Sequence, residues 1–174
     1  MSRIVVDADG LIKLGKAKVL ALLMEEDQVL VPGAVYEEAV TKGKQELYED
    51  AFELEATLGG SRVRIFEAEH EQEPGSAMEE TPSLGPGERA ALRLYREEGA
   101  DAVLSDDRVF LRFLDENSVP YLTPAGVVVG LVGSGRLDPG EGLAALEKLR
   151  EHVRDSVYRE ARRELERRKG DDGR

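Results

Sequence analysis

The chain has 174 residues, 41% hydrophobic and 34% charged, which suits one globular domain with a proper core rather than a disordered polymer. It has no cysteine, which excludes disulfides, thiolate zinc sites and cysteine catalysis. The formal net charge of −12 argues against broad electrostatic binding of nucleic acid, but not against a nucleic-acid enzyme whose acids are neutralised by a divalent metal.

No apolar run approaches the length of a membrane helix, and no basic-then-apolar signal opens the chain. The expectation is a soluble, cytoplasmic protein with no membrane partner. Ile4-Val5-Val6 runs directly into Asp7 and reads as a short buried strand delivering an acid to its carboxyl end. The alternative is that Asp7 or Asp9 merely caps the next helix. Leu11, Ile12, Leu14, Val19, Leu20, Leu22 and Leu23 then recur at helical spacing. Gln28-Val29-Leu30-Val31 reads as a second strand, stopped by Pro32-Gly33. A helix follows from about Ala34, with Gly43 as its expected break, and runs through Leu47, Ala51, Phe52, Leu54 and Leu58 to Gly59-Gly60. Arg62–Phe66 alternates polar and apolar, as an edge strand does.

From Glu67 to Gly87 the pattern dissolves into a long acidic loop without lysine or arginine. Gly85-Pro86-Gly87-Glu88 opens a helix that Gly99 closes. Ala102-Val103-Leu104-Ser105 is the next strand, ending in Asp106-Asp107. Val109 to Leu114 is another helical face, and Val119–Leu122 a last strand whose Pro120 suits its start. Thr123 and Pro124 fit the first positions of a helix carrying Val127 to Val132. After Gly133-Ser134-Gly135, one charged helix is expected from Gly140 to about Lys169, with a narrow apolar stripe and an arginine-rich last third. That basic end reads better as a solvated helix terminus than as an RNA patch. Alternating strands and helices give an α/β fold with a central parallel sheet of about five strands. There is no internal repeat and no convincing domain boundary.

Asp7, Glu38, Glu88 and Asp106-Asp107 all sit where strands end or helices begin. Right-handed crossovers place parallel strand ends on one rim, so these acids are expected to converge. Converging carboxylates repel one another and raise their own pKa values. No lysine occurs between Lys44 and Lys148, so few features of the sequence relieve that repulsion. A divalent cation relieves it directly. Oxygen ligands without histidine or cysteine suit Mg²⁺ or Mn²⁺ rather than zinc. His70 and His152 lie outside these motifs and read as surface residues. Metal on such a cluster suits phosphodiester hydrolysis.

At this point the residues resemble a family. From Ile4 to about Leu137 the chain is similar to the PIN-domain ribonucleases, particularly the compact prokaryotic ones, many of them toxins of VapBC-type pairs. Ile4-Val5-Val6-Asp7 looks like the family's first acid on its first strand. Val31-Pro32-Gly33-Ala34-Val35-Tyr36-Glu37-Glu38 resembles its proline–valine–acid segment, with Glu38 as the acid. Leu84-Gly85-Pro86-Gly87-Glu88-Arg89-Ala90-Ala91 is similar to a glycine–glutamate variant in which Glu88 supplies the third acid. Leu104-Ser105-Asp106-Asp107 resembles the fourth-acid strand end, either aspartate serving as ligand. Thr123-Pro124-Ala125-Gly126-Val127 and Gly135-Arg136-Leu137 match the closing segment of the same branch.

The resemblance implies a three-layer α/β/α domain and a metal-dependent endonuclease acting on RNA. It implies Mg²⁺ or Mn²⁺ at Asp7, Glu38, Glu88, Asp106 and Asp107, a homodimer, and an antitoxin protein as partner. The expected organisation is a PIN-like domain over 1–137 with the acidic insertion 67–87. A charged helix and disordered tail over 138–174 then belong to the same domain or form a partner-binding appendage. Asp9 departs from the pattern, which has a small hydroxyl or amide residue there; it adds a ligand or adds repulsion. Two other readings remain open. One is a catalytically silent PIN-like binding module. The other is a haloacid-dehalogenase-type phosphatase built on Asp7-Ala8-Asp9-Gly10, which lacks the hydroxyl residue and the lysine those enzymes need.

Overall fold

The structure is a computed structural model that describes residues 1–60, 62–66 and 84–171. Strand β1 (Arg3–Val6) leads into helix α1 (Ala8–Ala17) and α2 (Leu20–Glu26). Strand β2 (Gln28–Pro32) is followed by a helical run whose first turn is α3 (Gly33–Tyr36). That run widens to a π-helix over Glu37–Lys42 and tightens again in α4 (Gly43–Gln45). Then come α5 (Glu49–Leu58), β3 (Val63–Phe66), α6 (Pro86–Glu97), β4 (Ala102–Leu104), α7 (Arg108–Glu116) and β5 (Tyr121–Leu122). Helices α8 (Pro124–Gly133), α9 (Pro139–Lys148) and α10 (Asp155–Asp171) close the chain.

The five strands form one sheet in the order β3-β2-β1-β4-β5, and every neighbouring pair is parallel. Successive side chains of a strand point to opposite faces. Ile4 and Val6 therefore pack on one side with Leu11, Leu14, Leu20, Val128, Leu131, Leu146 and Leu165. Val5, Leu30 and Val103 pack on the other with Ala91, Leu92, Phe110 and Leu114. Helices thus cover both faces of a buried parallel sheet, the three-layer α/β/α arrangement expected from the alternating strands and helices.

Three helical runs break where the sequence gives weak signals. The first apolar run is two helices, because Lys18 turns left-handed (φ 60°) between them. The second breaks at Leu47 (φ 61°) and not at Gly43. Gly43 lies within the helical run, and a Cβ there would lie 2.8 Å from that of Ala51, so the close packing of α4 on α5 accounts for the glycine. The expected single helix 140–169 is two, separated by turns at residues 149–154 that contain neither glycine nor proline. The turn lets Leu149 and Leu165, both fully buried, enter one core. Four of the five arginines of α10 are in ion pairs along its surface: Arg159 with Asp155, Arg162 with Glu166, Arg167 and Arg168 with Glu164. Of the expected acidic loop, residues 67–83 lie outside those described, as do His70 and residues 172–174. Leu84 is buried and Gly85 caps α6. His152 is exposed, in the α9–α10 turn.

Candidate functional site

The strand order reverses at β1, from which the chain steps outward to β2 and β3 and then returns to β4 on the other side. Ligands of open α/β sheets bind beyond the carboxyl ends of strands at such a point. Here Val6 pairs with Leu104, and the Asp7 N–H donates to the Leu104 carbonyl at 3.0 Å. Asp7 and Ser105 therefore emerge side by side. Asp7 is 4% exposed. Its Oδ1 accepts from the Gly10 N–H at 2.6 Å, capping α1. Its Oδ2 accepts from the Ser105 hydroxyl. The capping role and the placement at the rim are the same geometry, not alternatives. The Ser105 Oγ also accepts from the Asp107 N–H at 3.1 Å, and Asp107 Oδ1 caps α7 through the Phe110 N–H at 2.8 Å. Gly10 makes the approach possible. A Cβ on it would lie 2.9 Å from Asp7 Oδ1 and 2.9 Å from the Leu104 carbonyl oxygen.

Burial pushes the Asp7 carboxyl up to about 7. The hydrogen bonds from Ser105 and Gly10 work the other way without cancelling it, and the charges of Asp9 and Glu88 raise it further. Glu88 is half-buried in the first turn of α6, and its Oε2 accepts from the Gly85 N–H at 2.6 Å. Burial raises its pKa, the Gly85 bond lowers it, and the charges of Asp107 and Glu38 raise it again. Glu38 is exposed in the π-helical stretch, a feature frequent at functional sites. Its Oε2 lies 3.4 Å from the position a Cβ on Gly87 would occupy, so its carboxylate rests over the start of α6. The structure thus brings Glu38, Glu88 and Asp107 into one electrostatic neighbourhood that reaches Asp7 through Glu88.

Asp106 belongs to a different grouping. It is buried, and its Oδ2 accepts from the Lys13 ammonium at 2.7 Å. The same ammonium donates to Asp9 Oδ2 at 2.7 Å. This corrects the sequence expectation that no lysine stands near the acids. The gap from Lys44 to Lys148 is real, but Lys13 reaches the rim from α1. Asp9 accordingly adds one arm of an ion pair. The signal was present as an acid and a lysine four residues apart, which share a helix face. Burial works against the Lys13 charge, but the bonds to Asp106 and Asp9 outweigh it, so the ammonium holds its proton more tightly than a free lysine. Burial raises the Asp106 pKa, and the Lys13 bond and charge lower it. Arg154, from the α9–α10 turn, adds a further positive charge near Asp106. Ser105 and Arg154 are the other residues the motifs did not single out. A small hydroxyl immediately before the paired aspartates was the available sign of the first.

Among the described residues, no three acids or histidines stand grouped as a ready cage for an ion. A cage is not required for Mg²⁺, which keeps several waters and binds through one or two carboxylates. Two observations fit a divalent ion here. Asp106 Oδ1 is buried without a hydrogen-bond partner. The charge of Glu88 raises the Asp7 pKa across the rim, and the charges of Asp107 and Glu38 raise that of Glu88. The donor set is all oxygen, which suits a hard cation.

No curated protein matches the chain. The family model that matches is DUF3368, a PIN domain, over residues 3–167. The match runs past Leu137, where the motif resemblance stops, through α9 and most of α10. PIN domains are generally nucleases and typically use divalent metal ions. With its parallel sheet in the order β3-β2-β1-β4-β5, its acids at the switch point and a family match over nearly its whole length, the chain belongs to the PIN-domain family.

Proposed function

We propose that the chain is a metal-dependent endoribonuclease that hydrolyses RNA phosphodiester bonds at the rim formed by β1 and β4. The observation that carries this reading is Asp7: a buried carboxyl at the switch point, bonded to Ser105 of the adjacent strand and facing Glu88. Perturbed carboxyls clustered at a strand-end rim support a functional-site reading. Asp7, Glu38, Glu88 and Asp107 are the proposed holders of one Mg²⁺ or Mn²⁺, with Asp106 adjoining. When bound, such an ion acidifies a water and offsets charge on a phosphoryl oxygen.

The protein's own groups do the rest. Ser105 fixes the Asp7 carboxylate, and Gly10 leaves room for it. Glu88, whose pKa burial raises, takes a proton from the attacking water. The water oxygen bonds to phosphorus, the ribose–phosphate P–O bond breaks, and the departing oxygen takes a proton from solvent. The reading carries a homodimer and an antitoxin partner only as the motif resemblance implies them. Light scattering and co-purification from the native host test those two separately.

The test is cleavage of end-labelled single-stranded RNA by the full chain with Mn²⁺, with Mg²⁺ and with EDTA, beside Asp7→Asn. Metal-dependent cleavage that falls on the order of 10²-fold or more in the variant is expected. A second reading, a catalytically silent module, is favoured by the Lys13 ion pair, which already neutralises part of the acid cluster. It predicts no cleavage by either protein and an unchanged affinity for RNA in Asp7→Asn.

A further inference from the structure

The second acid grouping holds a cation of its own. Lys13 Nζ lies 2.7 Å from Asp9 Oδ2 and 2.7 Å from Asp106 Oδ2. The Lys13 side chain is 13% exposed and that of Asp106 is 3% exposed. On an open helix surface an Asp–Lys pair four residues apart is a weak interaction. Here the lysine also reaches across the sheet rim to a buried aspartate, where charge-assisted bonds are stronger and an unpaired charge is expensive. Asp106 has more acceptor capacity than the lysine uses, since its Oδ1 is buried without a partner. Two facing carboxylates with a spare oxygen are a donor set for a divalent ion, and the ammonium stands between them.

We propose that Lys13 is a resident cation of the site, occupying between Asp9 and Asp106 the position a second divalent ion would take. The inference rests on the metal-dependent reading of the rim and sharpens it. The site then takes a single ion, on the Asp7–Glu88 side. The second positive charge is covalently tethered, does not dissociate, and fixes Asp106 whether or not the ion is bound. Lys13 is a positioning residue: it acts through Asp106 and Asp9.

The test counts bound Mn²⁺ per folded chain by equilibrium dialysis, for the wild type, Lys13→Met, Lys13→Arg and Lys13→Met with Asp9→Asn. Circular dichroism confirms that each is folded, and Lys13→Gln replaces the methionine variant if that one is not. Lys13→Met is expected to bind one more Mn²⁺ than the wild type. Lys13→Arg keeps the wild-type count, and the double variant returns to it. Equal counts in Lys13→Met and the wild type overturn the proposal, as do two ions in the wild type. The wild-type count itself tests the nuclease reading. Zero ions there would defeat that reading, while the difference between the two proteins still decides the role of Lys13.

Discussion

Asp7 is the most buried carboxyl of the proposed site and weighs on the fold. Its carboxyl titrates at about 7 in the folded chain against an ordinary value of 3.8. A raised acid binds more protons folded than unfolded between those values, so its contribution to stability falls as pH rises through that window and is flat above it. The gap is worth on the order of 4 kcal/mol. Asp7→Asn removes the charge but keeps a group that can bond Ser105. The variant is expected to be about 2 kcal/mol more stable than the wild type at pH 8 and to lose most of that advantage at pH 4, by urea unfolding. A variant less stable at both pH values would show that the two hydrogen bonds outweigh the buried charge. Gly10 is the second sensitive position. A methyl there meets Leu104 Cδ2 at 2.4 Å as well as the Leu104 carbonyl and Asp7, and the backbone atom does not yield. Gly10→Ala is expected to cost ~1–3 kcal/mol by the same measurement. Asp7 and the paired aspartates stand out in the sequence because they end apolar strands, and Glu88 because it opens a helix after Gly85-Pro86-Gly87; the structure adds that Asp7 and Asp107 also cap α1 and α7. Lys13 was not singled out, because a lysine four residues after an aspartate is ordinary helix surface until β4 supplies Asp106.

Elements were easier to recognise than their breaks. Period-two and period-3.6 patterns fix which stretches are strands and which are helices, since each must bury one face. Nothing in that logic marks Lys18 or Leu47, which take positive φ as left-handed caps, their N–H groups donating to the Gly15 and Lys44 carbonyls and those of Val19 and Tyr48 to the Leu14 and Gly43 carbonyls. Nor does it mark the α9–α10 turn. Leu146, Leu149, Val153, Val157, Ala161 and Leu165 keep helical spacing across it, and the core takes them, Val153 and Val157 in part, only because the chain folds back there. Gly142 permits the contact: a Cβ would lie 2.5 Å from Val132 Cγ2, on α8, and 3.4 Å from Leu165 Cδ2. Leu165 is fully buried in the cluster that also contains Val6 and Leu11. Leu165→Ala is accordingly expected to cost ~2–5 kcal/mol in a single cooperative urea transition. A loss below about 1 kcal/mol, or a separate early transition, would mark α10 as an appendage.

At the scale of the whole molecule, the net charge of −12 limits how the proposed nuclease can hold RNA. Each phosphate neutralised by a cation adds roughly −0.7 to the slope of log affinity against log salt for a single strand. Most arginines of α10 are already paired along the helix. Among the described residues, the charge of Arg89 acts on Glu88 but its guanidinium donates to the Leu84 carbonyl; two other cations near the acids are Arg108, directly after Asp107, and Arg154, whose charge acts on Asp106. Both are exposed. Lys13 is spent on Asp9 and Asp106. Binding of single-stranded RNA to the full chain, measured with Ca²⁺ in place of the catalytic ion, is therefore expected to show a shallow slope of about −1.4, that of two phosphates. Arg154→Ala reduces that slope by about 0.7 and leaves the Mn²⁺ count unchanged, because the residue meets phosphate and not the ion. A slope steeper than about −3 would place the RNA on a basic surface away from the rim. A slope unchanged in Arg154→Ala would take the α9–α10 turn out of the binding path. The acidic surface makes this measurement informative: repulsion over most of the molecule leaves the strand few places to bind, so one arginine at the rim carries a measurable share.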